Sequence, residues 1–357
     1  MAKLVLDSVI KSFGDSAVVN EVSLAIEPGQ FVALLGPSGC GKTTILRCIA
    51  GFEQIEDGSI VLGDKTLSSH IYHVAPEQRQ MSMVFQSYAL WPHMNVMDNV
   101  GYSLKLKGIS GEAYKRRVND ALDAVNMQHL LHRMPSELSG GQRQRVALAR
   151  CLVSEPRVVL LDEPLANLDR HLRASMEQIF REFHQRSGTT FIYVTHDQAE
   201  AMALADHIAV MNQGKIVQYD SPENLYRFPD TEWTARFIGQ GSIVYSDTKP
   251  MGNGRNLHGT EVMHALNNQP QGKHSNNQSY AILVRPQHIR QVSSEEVQGG
   301  LVHSLKAKIT ERVFKGEHYH YRTEIVGEQY LDFYSENKMA VDQVLNLQVE
   351  KGYLLRS

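Results

Sequence analysis

The chain has 357 residues, of which 42% are hydrophobic, and carries a formal net charge of −3. That length exceeds most single domains, so two domains are expected, each with apolar residues enough for a core. The lack of a basic excess argues against a nucleic-acid partner. Three scattered cysteines, Cys40, Cys48 and Cys151, exclude a disulfide framework or a zinc site and fit a reducing compartment.

The opening MAKLVLDSVIKSFG alternates as a strand does and lacks the apolar centre of a signal peptide. FVALLG is a continuous apolar run, the pattern of a strand buried on both faces. It enters the Gly-rich turn GPSGCGKTT and then KTTILRCIAG, which has helical spacing and a closing glycine. Residues 87–156 read as a mostly helical insertion between two core strands. RVVLLDEP and TTFIYVTHD are two further buried-strand candidates, and LRASMEQIFREFHQRSG between them is helical and ends at Gly188. HIAVMNQGKIVQ is a hairpin turning on Asn212, Gln213 and Gly214. This strand–helix–strand order predicts an α/β core over residues 1–238. Residues 246–278 have loop composition, rich in Asn, Gln, Gly and His. Beyond them YAILVR, LKAKITERVF, HYHYRTEIV, QYLDFY and LNLQVE are short strands, so residues 239–357 are expected to form a small all-β domain. No apolar run approaches the about 20 residues of a membrane span, so a membrane role requires a partner.

The turn after the first buried strand fits G-x-x-x-x-G-K-[ST] with Gly36, Gly41, Lys42 and Thr43. In Gly36, Pro37, Ser38, Gly39, Cys40, Gly41, Lys42, Thr43 and Thr44 the glycines allow successive N–H groups to turn inward around phosphate oxygens. The positive end of the following helix points to the same place. Lys42 would reach the β- and γ-phosphates of a nucleoside triphosphate, and the Thr43 hydroxyl would ligate Mg²⁺. VVLLDEP supplies the complement: Asp162 to hold Mg²⁺ through its water shell, and Glu163 to accept a proton from an attacking water. LSGGQRQRVALAR places Ser139, Gly140, Gly141 and Gln142 before a second helix N-terminus that favours an anion. Two phosphate-binding loops in a chain with one nucleotide site make sense if the second reaches a nucleotide held by another copy.

With LSGGQ the chain resembles the ATP-binding-cassette (ABC) ATPases, whose signature motif this sequence is similar to. The resemblance covers residues 1–238, and the family's other elements stand in order. Phe13 in KSFG resembles the aromatic that stacks on adenine, and Gln86 in MVFQSYAL resembles the Q-loop glutamine that senses Mg²⁺ and the γ-phosphate. Asp169 ending LANLD resembles the D-loop aspartate, and His196 in VTHDQAEAM resembles the switch histidine. Ala166 departs from the serine often found there. The resemblance implies a head-to-tail dimer in which each ATP lies between one copy's 36–44 loop and residues 139–142 of the other. Glu163 would polarise water while His196 and Gln86 position it and the γ-phosphate.

The segment between Thr44 and Leu138 has no heptad run, unlike the coiled-coil arm of DNA-repair relatives. One cassette is present where translation-factor forms have two, and no spans are fused as in exporters. The resemblance therefore implies a stand-alone importer ATPase. It would sit on the cytoplasmic face of the bacterial inner membrane with two permease subunits, served indirectly by a periplasmic or extracellular substrate-binding protein. Residues 87–108 resemble the surface that receives a permease coupling helix. The β-rich tail, through VRPQHI at 284–289, resembles the OB-like TOBE regulatory domain. General likeness across residues 45–100 suggests ferric iron as cargo, ahead of polyamines, phosphonates, sugar phosphates and sugars. A non-transport regulatory ATPase is the alternative of another class. His318 and His320 share one face of a strand, a spacing open to metal binding but also common on half-exposed strands.

Overall fold

The computed structural model describes residues 2–85, 89–166, 168–247, 250, 255–267, 280–298, 303–325 and 328–356. The chain divides into two compact units, Met1–Pro222 and Glu223–Ser357. The division precedes the change of texture at Gly239, because the two short helices between these points belong to the second unit.

The first unit opens with an antiparallel sheet. It contains β1 (Leu4–Phe13) and β2 (Ser16–Ile26), joined later by β4 (Asp57–Leu62), β5 (Lys65–Ser69) and β6 (Tyr72–His73) in the order β2-β1-β4-β5-β6. Between them the chain makes β3 (Phe31–Leu35) and α1 (Lys42–Ala50). The helical insertion follows β7 (Met81–Val84) and consists of α2 (Val96–Leu106), α3 (Gly111–Asp123) and α4 (Gly140–Leu152). The chain returns through β8 (Val158–Asp162), α5 (Arg170–Ser187), β9 (Thr190–Thr195), α6 (Gln198–Leu204), β10 (His207–Asn212) and β11 (Lys215–Asp220). The central sheet runs β11-β10-β3-β9-β8-β7, parallel except for the edge hairpin of β10 and β11.

The apolar runs explain the layering. Side chains alternate across a strand, so Val158 and Leu160 of β8 face one side and Val159 and Leu161 the other. On the first side they meet α1 through Ile45, Leu46 and Ile49, and beyond it Leu4, Leu6 and Val9 of the antiparallel sheet. On the second side they meet Val146 and Leu148 of α4 and Ile179 and Phe180 of α5. Helices α1, α4 and α5 are therefore held by apolar stripes against a sheet whose inner strands β3, β8 and β9 have no solvent face. Glycines close two of these helices in the left-handed conformation, Gly51 after α1 and Gly188 after α5.

The second unit contains α7 (Pro222–Arg227), whose first residue ends the first unit, α8 (Glu232–Phe237), and two antiparallel sheets. The four-stranded sheet holds β12 (Ser242–Ser246), β13 (Asn256–His258), β14 (Tyr280–Val284) and β20 (Lys351–Leu354). The five-stranded sheet holds β15 (Ile289–Val292), β16 (Leu305–Phe314), β17 (Tyr319–Ile325), β18 (Gln329–Ser335) and β19 (Val344–Val349). Helix α9 (Gly259–Asn267) and the short α10 (Ser294–Gln298) complete it. The expected strands after Tyr280 all form, giving antiparallel sheets consistent with an OB-like domain, to which the short helices are added. The expected loop over 246–278 is corrected in part: residues 256–267 form β13 and α9, with Val262, Met263, Ala265 and Leu266 buried. Asn, Gln and Gly on either side hide this short apolar stripe in the average composition. Residues 268–279 lie outside the described residues.

Candidate functional site

The 36–44 loop joins the C-terminal end of β3 to the N-terminus of α1. Gly41 adopts φ 102°, open to glycine at no steric cost, and a Cβ there would collide with the Val18 carbonyl. A Cβ at Gly36 would strike the Met211 carbonyl. The loop is thus pressed between β2 and β10. Helix α1 has no side-chain cap at its start and no acid in its first turn, so its N–H groups and dipole face an anion unopposed. Lys42 is buried, and its Nζ donates to the carbonyls of Gly36 (2.8 Å) and Pro37 (3.0 Å).

Thr43 Oγ1 donates to Asp162 Oδ1 at 3.0 Å. The two side chains meet because α1 packs on β8, which ends at Asp162. Burial pushes the Asp162 carboxyl above its ordinary pKa, and the Thr43 hydrogen bond and nearby Arg47 oppose that shift. A hydroxyl and a carboxylate at this spacing are the hard oxygen donors that Mg²⁺ takes while keeping several waters, so the residues fit the ion.

Strands β8 and β9 are parallel neighbours, with Asp162 opposite Val194. The residues just past their ends therefore lie side by side: Glu163 Oε1 is 3.4 Å from His196 Nδ1. Glu163 has φ 45°, the left-handed region that a non-glycine residue enters at a cost. Its N–H donates to the Val194 carbonyl at 3.1 Å. That bond turns the chain sharply and leaves the carboxylate a quarter exposed beside the half-exposed imidazole.

Ser139 caps α4, accepting from Gln142 N, while Gln142 Oε1 accepts from Ser139 N, a reciprocal capping box. Among the described residues no hydrogen bond or ion pair joins 139–142 to the 36–44 loop. The structure brings Lys42, Thr43, Asp162, Glu163 and His196 to one edge of the central sheet. Phe13 ends β1 with its ring half exposed and Lys11 Nζ 5.1 Å from its centre. Asp169 caps α5 by accepting from His171 N and Leu172 N, a local role not foreseen for it. Gln86 lies outside the described residues.

Sequence reasoning missed the polar residues that hold these turns. Arg79 is 1% exposed and donates to the carbonyls of Val74, Cys48, Ile49 and Leu67 and to Ser68 Oγ. It closes the C-terminal end of α1, and burial pulls its pKa down to about 10. Gln144 of α4 donates to the Pro164 carbonyl, one residue past Glu163. Lone polar residues in helical or loop sequence carry no periodic signal, so only contacts reveal them.

On α2, Val96, Val100 and Leu104 are buried and Leu106 is exposed. Trp91 lies under the Arg150 guanidinium at 4.9 Å, and the described part of 87–108 combines buried positions on α2 with exposed ones such as Leu106. In the second unit, Arg285 of VRPQHI is buried and donates to the carbonyls of Gln240 and Tyr226, which gives that phrase a structural reason. His318 and His320 both pack on Tyr334, and among the described residues no group of three metal-ligating side chains forms. No described helix is long and apolar enough to cross a membrane.

The family model for ABC transporters matches residues 19–166. The chain is 42% identical over 320 residues to the spermidine/putrescine import ATP-binding protein PotA of Pseudomonas aeruginosa, covering 88% of this chain and 85% of that one. It is 47% identical over 249 residues to the maltose/maltodextrin import ATP-binding protein MalK of Yersinia pestis, covering 70% and 66% of the two chains. Among solved structures it is similar to a dimeric post-hydrolysis state of an ATP-binding cassette bound to ADP and Pi. That match has a TM-score of 0.55 and 27% identity, covering 61% of this chain and 98% of the other.

Proposed function

Because the chain belongs to the ABC transporter family and is an import-type ATPase, we propose that it couples ATP hydrolysis to uptake through the site described above, with polyamines as the cargo. The observation that carries the mechanism is the pairing of Glu163 with His196 at 3.4 Å, one residue beyond the Thr43–Asp162 contact of 3.0 Å. Glu163 is the general base for water and His196 orients it toward the γ-phosphate. Lys42 leaves the loop carbonyls for the β- and γ-phosphates. Thr43 and Asp162 would hold Mg²⁺, which neutralises phosphate charge when bound. Phe13 offers its open face to the adenine, and Gln86 completes the γ-phosphate sensing.

Residues 139–142 serve the nucleotide of a second copy arranged head to tail, with Asp169 at the same interface. The dimeric cassette among the similar structures supports this reading. Two permease subunits receive the motion at the inner membrane, and a substrate-binding protein supplies the cargo. Mutation of Glu163→Gln is expected to abolish turnover and leave ATP-held dimers, read by phosphate release and light scattering. Normal ATPase rates in that variant would remove Glu163 from its role.

The polyamine reading rests on the PotA similarity, which spans both units. The ferric iron suggested by residues 45–100 has no counterpart in the PotA and MalK relatives, and sugars are the second reading through MalK. Uptake of labelled putrescine, maltose and ferric iron by cells with and without the gene separates the three. Failure to co-purify with any permease would favour a regulatory ATPase instead.

A further inference from the structure

Behind Glu163 and His196 lies a buried polar cluster built from other residues of VTHDQAEAM, the preceding Tyr193 and helix α5. Glu200, on the first turn of α6, is 3% exposed. Its Oε2 accepts from Tyr193 Oη at 2.8 Å and Thr195 Oγ1 at 2.6 Å. Thr195 Oγ1 in turn accepts from Asp197 N at 3.0 Å. Thr195, on one side of His196, is thus fixed to the Glu200 carboxylate, and Asp197, on the other side, is held to the Thr195 hydroxyl.

Arg173, on the first turn of α5, reaches this cluster from the other side. Its Nη1 donates to Asp197 Oδ2 at 2.8 Å, and its Nε lies 3.6 Å from Glu200 Oε1. Its Nη2 donates to the Leu168 carbonyl at 3.5 Å. Leu168 belongs to the turn that begins at Glu163, closed by Ala166 N to Glu163 O (3.3 Å) and Leu168 N to Leu165 O (3.2 Å). Long helical side chains lean toward the helix N-terminus, which is how Arg173 folds back over the turn preceding its own helix. A cavity of about 30 Å³ lies between Glu163, Ala166, His196 and the Arg173–Glu200 pair, room for one water. Arg173 Nε is buried with no hydrogen-bond acceptor among the described residues.

We propose that Arg173 is a positioning residue for hydrolysis: held by Asp197 and Glu200, its guanidinium ties the turn running from Glu163 to Asp169 to the turn carrying His196, so the partner-facing segment and the base–histidine pair move together. The planar fork hydrogen-bonds Asp197 at the start of α6 and the Leu168 carbonyl before α5 while its Nε faces Glu200, a fixed geometry that an ammonium cannot reproduce. The proposal rests on the reading of Glu163 as base and of the 163–169 turn as facing the second copy.

The test uses the full chain and steady-state ATPase kinetics. Arg173→Ala is expected to lower kcat roughly 10²-fold through misplacement of the reacting groups, with KM for ATP and fluorescent-nucleotide affinity unchanged. Arg173→Lys, which keeps the charge, should fold as the parent does by thermal melt yet recover only part of kcat. The double variant Arg173→Ala/Glu200→Gln should lose less than the sum of the two single losses, since the two side chains share one contact. Parent-like kcat in Arg173→Lys and Arg173→Ala overturns the proposal, as do strictly additive losses or a loss of nucleotide affinity matching the loss of rate. Retained turnover in Glu163→Gln instead defeats the underlying reading, so the two failures are distinct.

Discussion

Replacing Arg79 by Met removes a guanidinium of similar reach from a site with no solvent. Of its six acceptors, Cys48 O also accepts from Gly51 N and Leu67 O from Val74 N, the Ser68 hydroxyl can rotate, and His73 Nδ1, 3.3 Å from Nη2, also meets Ser68 Oγ. The carbonyls of Ile49 and Val74 take their hydrogen bond from Arg79, at 2.9 and 2.8 Å. Each buried carbonyl left unpaired costs about 1–3 kcal/mol, and relief of the buried charge returns part of it, so a net loss of about 3 kcal/mol is expected. For a unit of this size that lowers the melting temperature by about 6–12 °C. With two compact units the melt need not be two-state; the transition to follow by scanning calorimetry is the one that MgATP raises. Arg79→Lys should not rescue it, because three donors cannot meet acceptors spread over α1, β5 and the segment after β6. An ATP-sensitive transition displaced by less than about 2 °C in the Met variant would refute this hydrogen-bond accounting.

Gly41→Ala forces both a left-handed φ and a collision with the Val18 carbonyl, so nucleotide binding measured by calorimetry should vanish. Leu160→Ala, fully buried between α1 and the central sheet, should destabilise the first unit by about 2–5 kcal/mol in denaturant titration. Ser139→Ala loses a cap worth about 1 kcal/mol and should slow turnover while nucleotide binding to the single chain persists. The three cysteines are buried and free, and burial drives Cys48 and Cys151 up to about 12 and raises Cys40. Too little thiolate exists at pH 8 for Ellman's reagent to react quickly before unfolding, and all three should react after it.

The central sheet was legible because its strands are apolar on both faces: Phe31 to Leu35, Val158 to Leu161 and Phe191 to Val194 each announce burial without alternation. The phosphate loop was legible because its glycines are demanded by backbone geometry and its Lys42 and Thr43 follow at fixed spacing. The partner of β1 was not, since an alternating strand reports which face is buried and not which strand lies beside it. Helix α9 escaped notice because four apolar residues could not outweigh the surrounding amides. Arg79, Arg173 and Glu200 escaped for another reason: a buried charge is recognised by the acceptors around it, and these come from distant points in the chain.

The φ of 45° at Glu163 bears on how this enzyme should be engineered. Glycine or asparagine would occupy that turn with less strain than glutamate, by about 1 kcal/mol. A library ranked by heat resistance alone will therefore enrich replacements at the residue assigned to activate water. The hardiest survivors of such a screen would be inert, so selection for persistence must be joined at every round to selection for turnover.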